Sequence, residues 1–306
     1  MCIEMEALAK IAGFVAFIIL GYILRRCNVL KADTVHAISG LLLYVTLPCL
    51  VMVSLNGIEM KASFFGLIIL GVLANLVMVV VGMVWQRKNP TARTFAAINL
   101  AGYNIGTFAM PFLQSFLSPL GFLSICMFDI GNALMCTGTT YSIAVGSEGS
   151  RWDYAKSILS RLATSGPIWA YGVMMIMALL HLSFPKAVLD VAQIGANANA
   201  FLAMIMIGQG INLMMRRDQV IDLFKLLFVR LLFSAVISAA FYYLLPFDEE
   251  IRRALAILAF APIPAVAMIF SIKAKCDVKM AANFNSLSVA ASIPIVSALI
   301  LSLIHI

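Results

Sequence analysis

The sequence predicts an all-α polytopic membrane protein of ten transmembrane helices, built as two inverted five-helix repeats and broken within helices 4 and 9. Three observations lead there: an apolar composition, a regular alternation of loop charge, and matched breaks in the fourth helix of each half. Apolar residues make up 63% of the 306-residue chain and charged residues 11%, with a mean hydropathy of +1.02. Soluble domains run near half apolar and a quarter charged, and much of their surface must face water. A bilayer has to cover the excess here. The apolar runs are long and continuous, as spanning helices of roughly 20 residues require, unlike the short alternating segments of a transmembrane barrel.

Span 1 is expected over 7–24. Glu4 and Glu6 precede it and Arg25 and Arg26 follow. That is the reverse of a secretory signal, so the helix is expected to be retained with its N-terminus outside. Spans 2 and 3 follow at 35–55 and 63–85. Spans 4 (94–115) and 5 (119–146) are divided only by the Ser115–Ser118 stretch and Pro119. A polar linker, 147–157, then falls at the midpoint and separates a first repeat, 1–146, from a second, 158–306. The second repeat holds span 6 (158–180), span 7 (190–214), span 8 (220–245), span 9 (251–272) and span 10 (280–304). An odd number of helices per repeat forces opposite orientations, the arrangement typical of secondary transporters.

Loop charge supports the count. With alternate loops inside, starting between spans 1 and 2, the outside keeps only Lys10, Lys61, Lys186, Arg252 and Arg253 of the 21 Lys and Arg. The inside groups are Arg25, Arg26 and Lys31; Arg87, Lys88 and Arg93; Arg151, Lys156 and Arg161; Arg216, Arg217, Lys225 and Arg230; and Lys273, Lys275 and Lys279. A missed helix would scramble this alternation, so both termini are expected outside. The same rule accounts for the net charge of +7 without a nucleic-acid partner.

Span 4 reads ARTFAAINLAGYNIGTFAMPFLQ, with Asn99, Gly102, Asn104, Gly106 and Pro111. Span 9 reads IRRALAILAFAPIPAVAMIFSIK, with Pro262 and Pro264. Proline removes a helix hydrogen bond and clashes with the preceding turn, and glycine lowers helix propensity. A single proline in a membrane helix is most often a kink, the reading given to Pro48 and Pro167. Matched breaks in the fourth helix of each half point instead to a binding site near the midplane.

Several segments resemble one family. GYILRRCNVL (Gly21 to Leu30) and LLLYVTLPCLV (Leu41 to Val51) resemble the first two helices of the auxin efflux carrier family of permeases. NIGTFAMP (Asn104 to Pro111) is similar to that family's N-x-G-x-x-G-x-P motif, with Ala109 in place of the second glycine. FLAMIMIGQGINL (Phe201 to Leu213) resembles its seventh helix, and APIPAVAMIFSIKAKCD (Ala261 to Asp277) its ninth. Ser271 stands where alanine is usual, and the tyrosine–glycine pair before the aspartate is missing. The resemblance implies the fold of bile-acid sodium symporters. Spans 1, 2, 6 and 7 would form a scaffold, and spans 3–5 and 8–10 an elevator-type moving transport domain. Spans 4 and 9 would cross at their breaks. It implies a secondary transporter of the short bacterial type in the cell membrane, a homodimer through the scaffold, and a small organic anion such as malonate, malate or an auxin-like acid as substrate. The expected substrate residues are Asn99, Asn104, Gly106, Pro111, Pro262 and Pro264.

Asp129 is the only acidic residue deep in an expected span. It lies roughly 15 Å into span 5, near the centre of a hydrocarbon core about 30 Å thick. Asn132 follows on the same helix face. Two readings stay open. Asp129 binds a coupling proton or sodium ion beside Asn132 and span 4 carbonyls, or it locks span 5 to span 4 by hydrogen bonds. Asn285 and Ser288 in span 10 repeat the three-residue spacing and are weaker candidates. No Lys or Arg is expected deep in a span. Positive potential for an anion must then come from freed N–H groups and half-helix N-termini, with Asn99 and Asn104 as side-chain partners. Gln209 and Asn212 in span 7 read as helix–helix glue.

Other chemistries find little footing. His36, His181 and His305 lie near span ends without partner ligands, and the six cysteines show no paired spacing, so no metal or cofactor is expected. The eighteen methionines read as apolar packing. An enzyme would need a catalytic constellation, and a primary pump a P-loop. A passive anion channel would show pore repeats or charged rings. A sodium-coupled carrier of an amphipathic solute stays open as the alternative on the same fold.

Overall fold

A computed structural model describes residues 2–31, 33–146, 151–211 and 219–303. Asn212, Arg216, Arg217 and His305, and the linker residues 147–150, lie outside the described residues. The described chain is helical throughout, without strands. Six helical stretches are long and apolar enough to cross a membrane: Met5–Arg26, Thr34–Leu55, Ala62–Trp85, Pro119–Val145, Lys186–Gly210 and Val278–Leu303. Large apolar side chains such as Ile19, Ile69, Val84, Ile194 and Phe228 stand exposed on their outer faces. Surface of that kind needs lipid rather than water. The protein is an α-helical membrane protein.

The first five helices are α1 (Cys2–Arg26), α2 (Thr34–Leu41), α3 (Leu47–Leu55), α4 (Phe65–Trp85) and α5 (Pro90–Leu100). Asn89 starts α5, its side chain accepting from the Ala92 N–H, with Pro90 in the first turn where no N–H is needed. Next come α6 (Met110–Leu113), α7 (Pro119–Leu134), α8 (Thr140–Val145), α9 (Arg151–Ala163) and α10 (Gly166–Leu179). The chain ends with α11 (Lys186–Gly210), α12 (Val220–Leu244), α13 (Glu249–Leu258), α14 (Val266–Lys273) and α15 (Val278–Leu303).

Three π-helical turns interrupt the regular helices: Leu42–Thr46, Ile105–Ala109 and Met135–Thr139. The first two end just before Pro48 and Pro111. A proline ring crowds the carbonyl four residues back, and widening that turn relieves the clash. Pro48 thus marks a bulge. Pro167, read as a kink, stands in the first turn of α10 and starts a helix. Residues expected as linker and as the beginning of span 6 form α9, which ends at Ala163 before Ser165–Gly166–Pro167. Ser165 is extended, at φ −84° and ψ 113°, so α9 and α10 do not run on as one.

Two helix pairs approach closely through glycines. A Cβ on Gly21 would strike the Ile205 carbonyl, and one on Gly208 the Ile18 carbonyl, which seats α1 against α11. A Cβ on Gly71 would strike the Phe128 carbonyl, and one on Gly131 the Ile68 carbonyl, which seats α4 against α7. Small residues are what let membrane helices meet at this distance. Gly208→Val should therefore destabilise the protein by about 1–3 kcal/mol, as overpacking does. Gly172, which has open space around it, should accept alanine with little change. Thermal unfolding in detergent would separate the two variants, and equal midpoints would contradict the close approach.

Candidate functional site

The site is built where two helices lose their backbone ladders. Helix α5 stops at Leu100, and the chain runs through Ala101, Gly102, Tyr103 and Asn104 before turning into the second π segment. Gly102 sits at φ +85°, left-handed backbone that glycine adopts without strain. A Cβ there would also collide with Pro264 of the second break. That second break runs from Ala259 to Ala265, between α13 and α14. The two meet directly, for the Asn104 N–H donates to the Pro262 carbonyl at 2.8 Å.

Neighbouring helices satisfy the freed backbone groups. Asn132 on α7 donates to the Tyr103 carbonyl at 2.9 Å and accepts from the Tyr103 N–H at 3.1 Å. On α15, Ser288 accepts from the Ile263 N–H at 3.3 Å, and Asn285 donates to the Ile263 carbonyl at 3.1 Å. Each break thus has one residue whose N–H and C=O are both taken by side chains from a flanking helix. The three-residue spacing of Asp129 and Asn132 recurs as Asn285 and Ser288, and both pairs sit against a break.

The other expected residues divide by exposure. Asn104, Gly106, Thr107 and Pro264 are half-buried and Ala265 is exposed. The Asn104 side chain accepts from the Thr107 hydroxyl at 2.5 Å. Asn99, Pro111 and Pro262 are buried. Asn99 donates to the Phe95 carbonyl and the Ser271 hydroxyl, both at 2.9 Å, and so ties α5 to α14. The π segment Ile105–Ala109 and helix α14 each begin at the crossing, where the Ile105 N–H donates to the Tyr103 carbonyl at 3.0 Å and the Ala267 and Met268 N–H groups donate to the Pro264 and Ala265 carbonyls at 3.0 and 3.2 Å. Two helix N-termini, each with a positive dipole end, therefore lie at the crossing.

Asp129 is buried on α7. Its Oδ1 accepts from Asn132 at 3.0 Å, and its Oδ2 accepts from the Tyr171 hydroxyl of α10 at 2.9 Å. Tyr171 carries no sequence signal, because a tyrosine in an apolar helix reads as packing. Asn75 on α4 joins the cluster by donating to the Asn132 amide oxygen at 3.2 Å.

One expectation is overturned. Arg230, counted above with the inside loops, stands in the middle of α12 with 2% of its surface exposed. Its guanidinium donates to the Leu100 carbonyl, to the Gly102 carbonyl at 3.0 Å and to the Ala261 carbonyl at 2.8 Å. A deep arginine does exist, and it lies at the crossing. It is tolerated because the end of α5 and the two breaks supply the acceptors that a burial of charge demands. Without it, the loop expected inside still counts Arg216, Arg217 and Lys225. Gln209 donates to the Lys31 carbonyl at 2.7 Å and so ties α11 to the loop between α1 and α2 rather than to another helix.

A cavity of about 600 Å³ opens beside the start of α5, lined by Trp85, Asn89, Phe95, Lys225, Asp277 and Met280 among others. None of the crossing residues lines it. Burial pushes the Cys276 thiol at its edge upward, which keeps it protonated and unreactive near neutral pH.

Removing Asn132 would strand both backbone groups of Tyr103. Asn132→Ala should cost about 2 kcal/mol or more, and Ser288→Ala, which loses a single acceptor, about 1 kcal/mol. Thermal unfolding in detergent measures both, and a milder effect at Asn132 than at Ser288 would contradict its double role.

Comparison with known proteins agrees with this architecture. The model of a family described as membrane transport protein matches residues 5–151. An uncharacterized transporter from Methanothermobacter thermautotrophicus is 24% identical over 291 residues, covering 92% of this chain and 93% of that protein. The first half of the chain is thus similar to that membrane transport protein family, in keeping with the resemblance of its motifs to auxin efflux carriers, and these likenesses support a multi-pass membrane transporter.

Proposed function

We propose that the protein is a secondary transporter that moves a small organic anion, a carboxylate such as malonate, malate or an auxin-like acid, across the cell membrane. The observation that carries this reading is the direct Asn104–Pro262 contact between the two breaks, each followed by a helix N-terminus, beside the half-buried Asn104, Gly106 and Thr107 and the exposed Ala265. Backbone N–H groups and helix dipoles of that kind favour negative charge.

The full architecture belongs to the same proposal. Ten spans form two inverted repeats, with α5–α6 as span 4 and α13–α14 as span 9. The paired backbone caps at Tyr103 and Ile263 support it, since they repeat one device in both halves. Spans 3–5 and 8–10 move as an elevator against spans 1, 2, 6 and 7.

Asp129 carries the coupling proton in this reading. Both of its oxygens accept from neutral donors, and one of these, Tyr171, belongs to span 6 of the scaffold. A sodium ion would want a shell of about six oxygen ligands rather than N–H and O–H donors. Among the described residues no three His, Cys, Asp or Glu gather to hold a metal ion.

The test is uptake of radiolabelled malonate, malate and indole-3-acetate into proteoliposomes, with the pH and sodium gradients varied independently. Wild type should accumulate one of the acids in response to a proton gradient. Asp129→Asn imitates the protonated carboxyl, with one donor and one acceptor. It should still exchange labelled for unlabelled substrate but lose at least about tenfold of the gradient-driven accumulation, a barrier change of about 1.4 kcal/mol. An unchanged pH dependence in Asp129→Asn would remove the coupling role. Sodium-driven uptake of a neutral amphiphile would replace the anion reading altogether.

A further inference from the structure

Arg230 and Asp129 are the only buried side chains with a formal charge among the described residues. Asp129 has a place in the proposed coupling. Arg230 has none so far, yet it reaches more of the crossing than any other side chain. Leu100, whose carbonyl it takes, is the last residue of α5, and Ala261 lies three residues beyond α13. Leu100 is thus the C-terminal end of one half-helix, where the dipole carries about half a negative charge, whereas Ala261 lies inside the second break. Gly102, the third acceptor, is the left-handed residue of the first break. The guanidinium also lies over the Tyr103 ring, 5.6 Å from its centroid. Tyr103 is the residue whose backbone Asn132 holds, and its hydroxyl is buried without a partner. Arg230 therefore touches the end of α5, the first break and the second break at once.

The opposite ends are treated differently. The first turns of the Ile105–Ala109 segment and α14 carry the positive dipole ends, and their Ile105, Ala267 and Met268 N–H groups donate to the Tyr103, Pro264 and Ala265 carbonyls. The cation at the break carbonyls adds positive charge to the same crossing. We propose that Arg230 is the positioning residue of the transport site: its fork ties the carbonyl end of α5 and the Gly102 turn to the second break at Ala261, which holds the two breaks side by side, and its charge makes the crossing select an anion. The proposal rests on reading the crossing as an anion site. Arginine suits the role because its donors are splayed in a rigid plane and it keeps its charge when buried, whereas lysine is a point charge on a flexible stem. Arg230 acts through the backbone, not by touching the substrate.

The experiment has two readouts on wild type, Arg230→Lys and Arg230→Met. The first is the concentration dependence of radiolabelled malonate uptake in proteoliposomes. The second needs no substrate: in a chain freed of its other cysteines, the rate at which a water-soluble maleimide labels Ala265→Cys in detergent. Arg230→Lys should raise KM about tenfold with little change in maximal rate, and Arg230→Met about a hundredfold, because the charge is kept in one and lost in the other. Labelling of Ala265→Cys should change severalfold in Arg230→Met and less in Arg230→Lys. A merely structural arginine would lower the amount of folded protein and so the maximal rate, leaving KM alone. Monodisperse Arg230→Met with wild-type KM and labelling rate overturns the proposal. If Arg230→Met does not fold, Arg230→Lys decides, and wild-type values for both readouts overturn it. Absence of malonate uptake by wild type counts against the anion reading instead, and the labelling rates then decide the positioning role alone.

Discussion

Backbone that leaves its helix inside a membrane must find hydrogen-bond partners within the protein, because lipid supplies none. Much of this structure follows from that constraint acting at two places. The segments 101–104 and 259–265 cannot complete a helix, so their N–H and C=O groups recruit partners from around them. Asn132, Ser288 and Asn285 answer from α7 and α15, Arg230 answers from α12, and the breaks answer each other through Asn104 and Pro262. Those helices have to stand within hydrogen-bond reach. Close seating elsewhere then serves the same end: the Gly71 and Gly131 contacts bring α4 against α7, which lets Asn75 brace the Asn132 side chain that holds Tyr103.

The electrostatic arrangement is lopsided in a way that dipoles alone would not produce. A helix carries opposite partial charges at its ends, so two broken helices make two positive and two negative poles at the crossing. Arg230 offsets the negative pole of α5. A buried charge left without acceptors would cost several kcal/mol, and three carbonyls plus an aromatic face reduce that cost. Asn104 and Thr107, beside the positive poles, are half-buried. In the proposed reading, a cation fixed at the carbonyl side of the crossing gives the site a sign before any ligand arrives.

Composition and the positions of Gly and Pro made the membrane class and the two breaks legible in advance, since both follow from local rules that tertiary packing does not reverse. Asn104 meets Pro262, and Gly102 meets Pro264, because each lies at a break. Asn99 shows the limit: one helical turn before the break, it turns inward to Ser271, and only the rotation of α5 decides that. Arg230 was hidden for a different reason. Counting Lys and Arg by loop assigns a charge near a helix start to the adjoining aqueous side, and no sequence rule marks an arginine whose acceptors are backbone carbonyls over a hundred positions away. Tyr171 was invisible likewise, because its acceptor Asp129 lies on a helix that the linear order does not bring near it.

The polar bonds also differ in where they run. Those at the crossing link α5, α7, α12 and α15 to the two breaks, and all of these belong to the group proposed to move together. Bonds to the other group are few. Tyr171 reaches Asp129, Asn199 of α11 reaches Gln114 at 3.2 Å, and Arg161 of α9 donates to the Thr137 carbonyl at 2.8 Å. Apolar contacts accompany them, with Gly106 resting against the side chains of Leu43 and Leu47. Apolar surfaces slide with little directional penalty, whereas each buried hydrogen bond broken without replacement costs about 1–3 kcal/mol. Movement of one group past the other would thus be held at Asp129, Asn199 and Arg161. Asp129 alone of these ties is buried and able to change its charge, and Asn132 ties it to the backbone of the first break. In the proposed reading, a proton arriving at Asp129 would alter a tie across the boundary and the brace of the crossing in one event, which is the physical coupling that a carrier driven by protons requires.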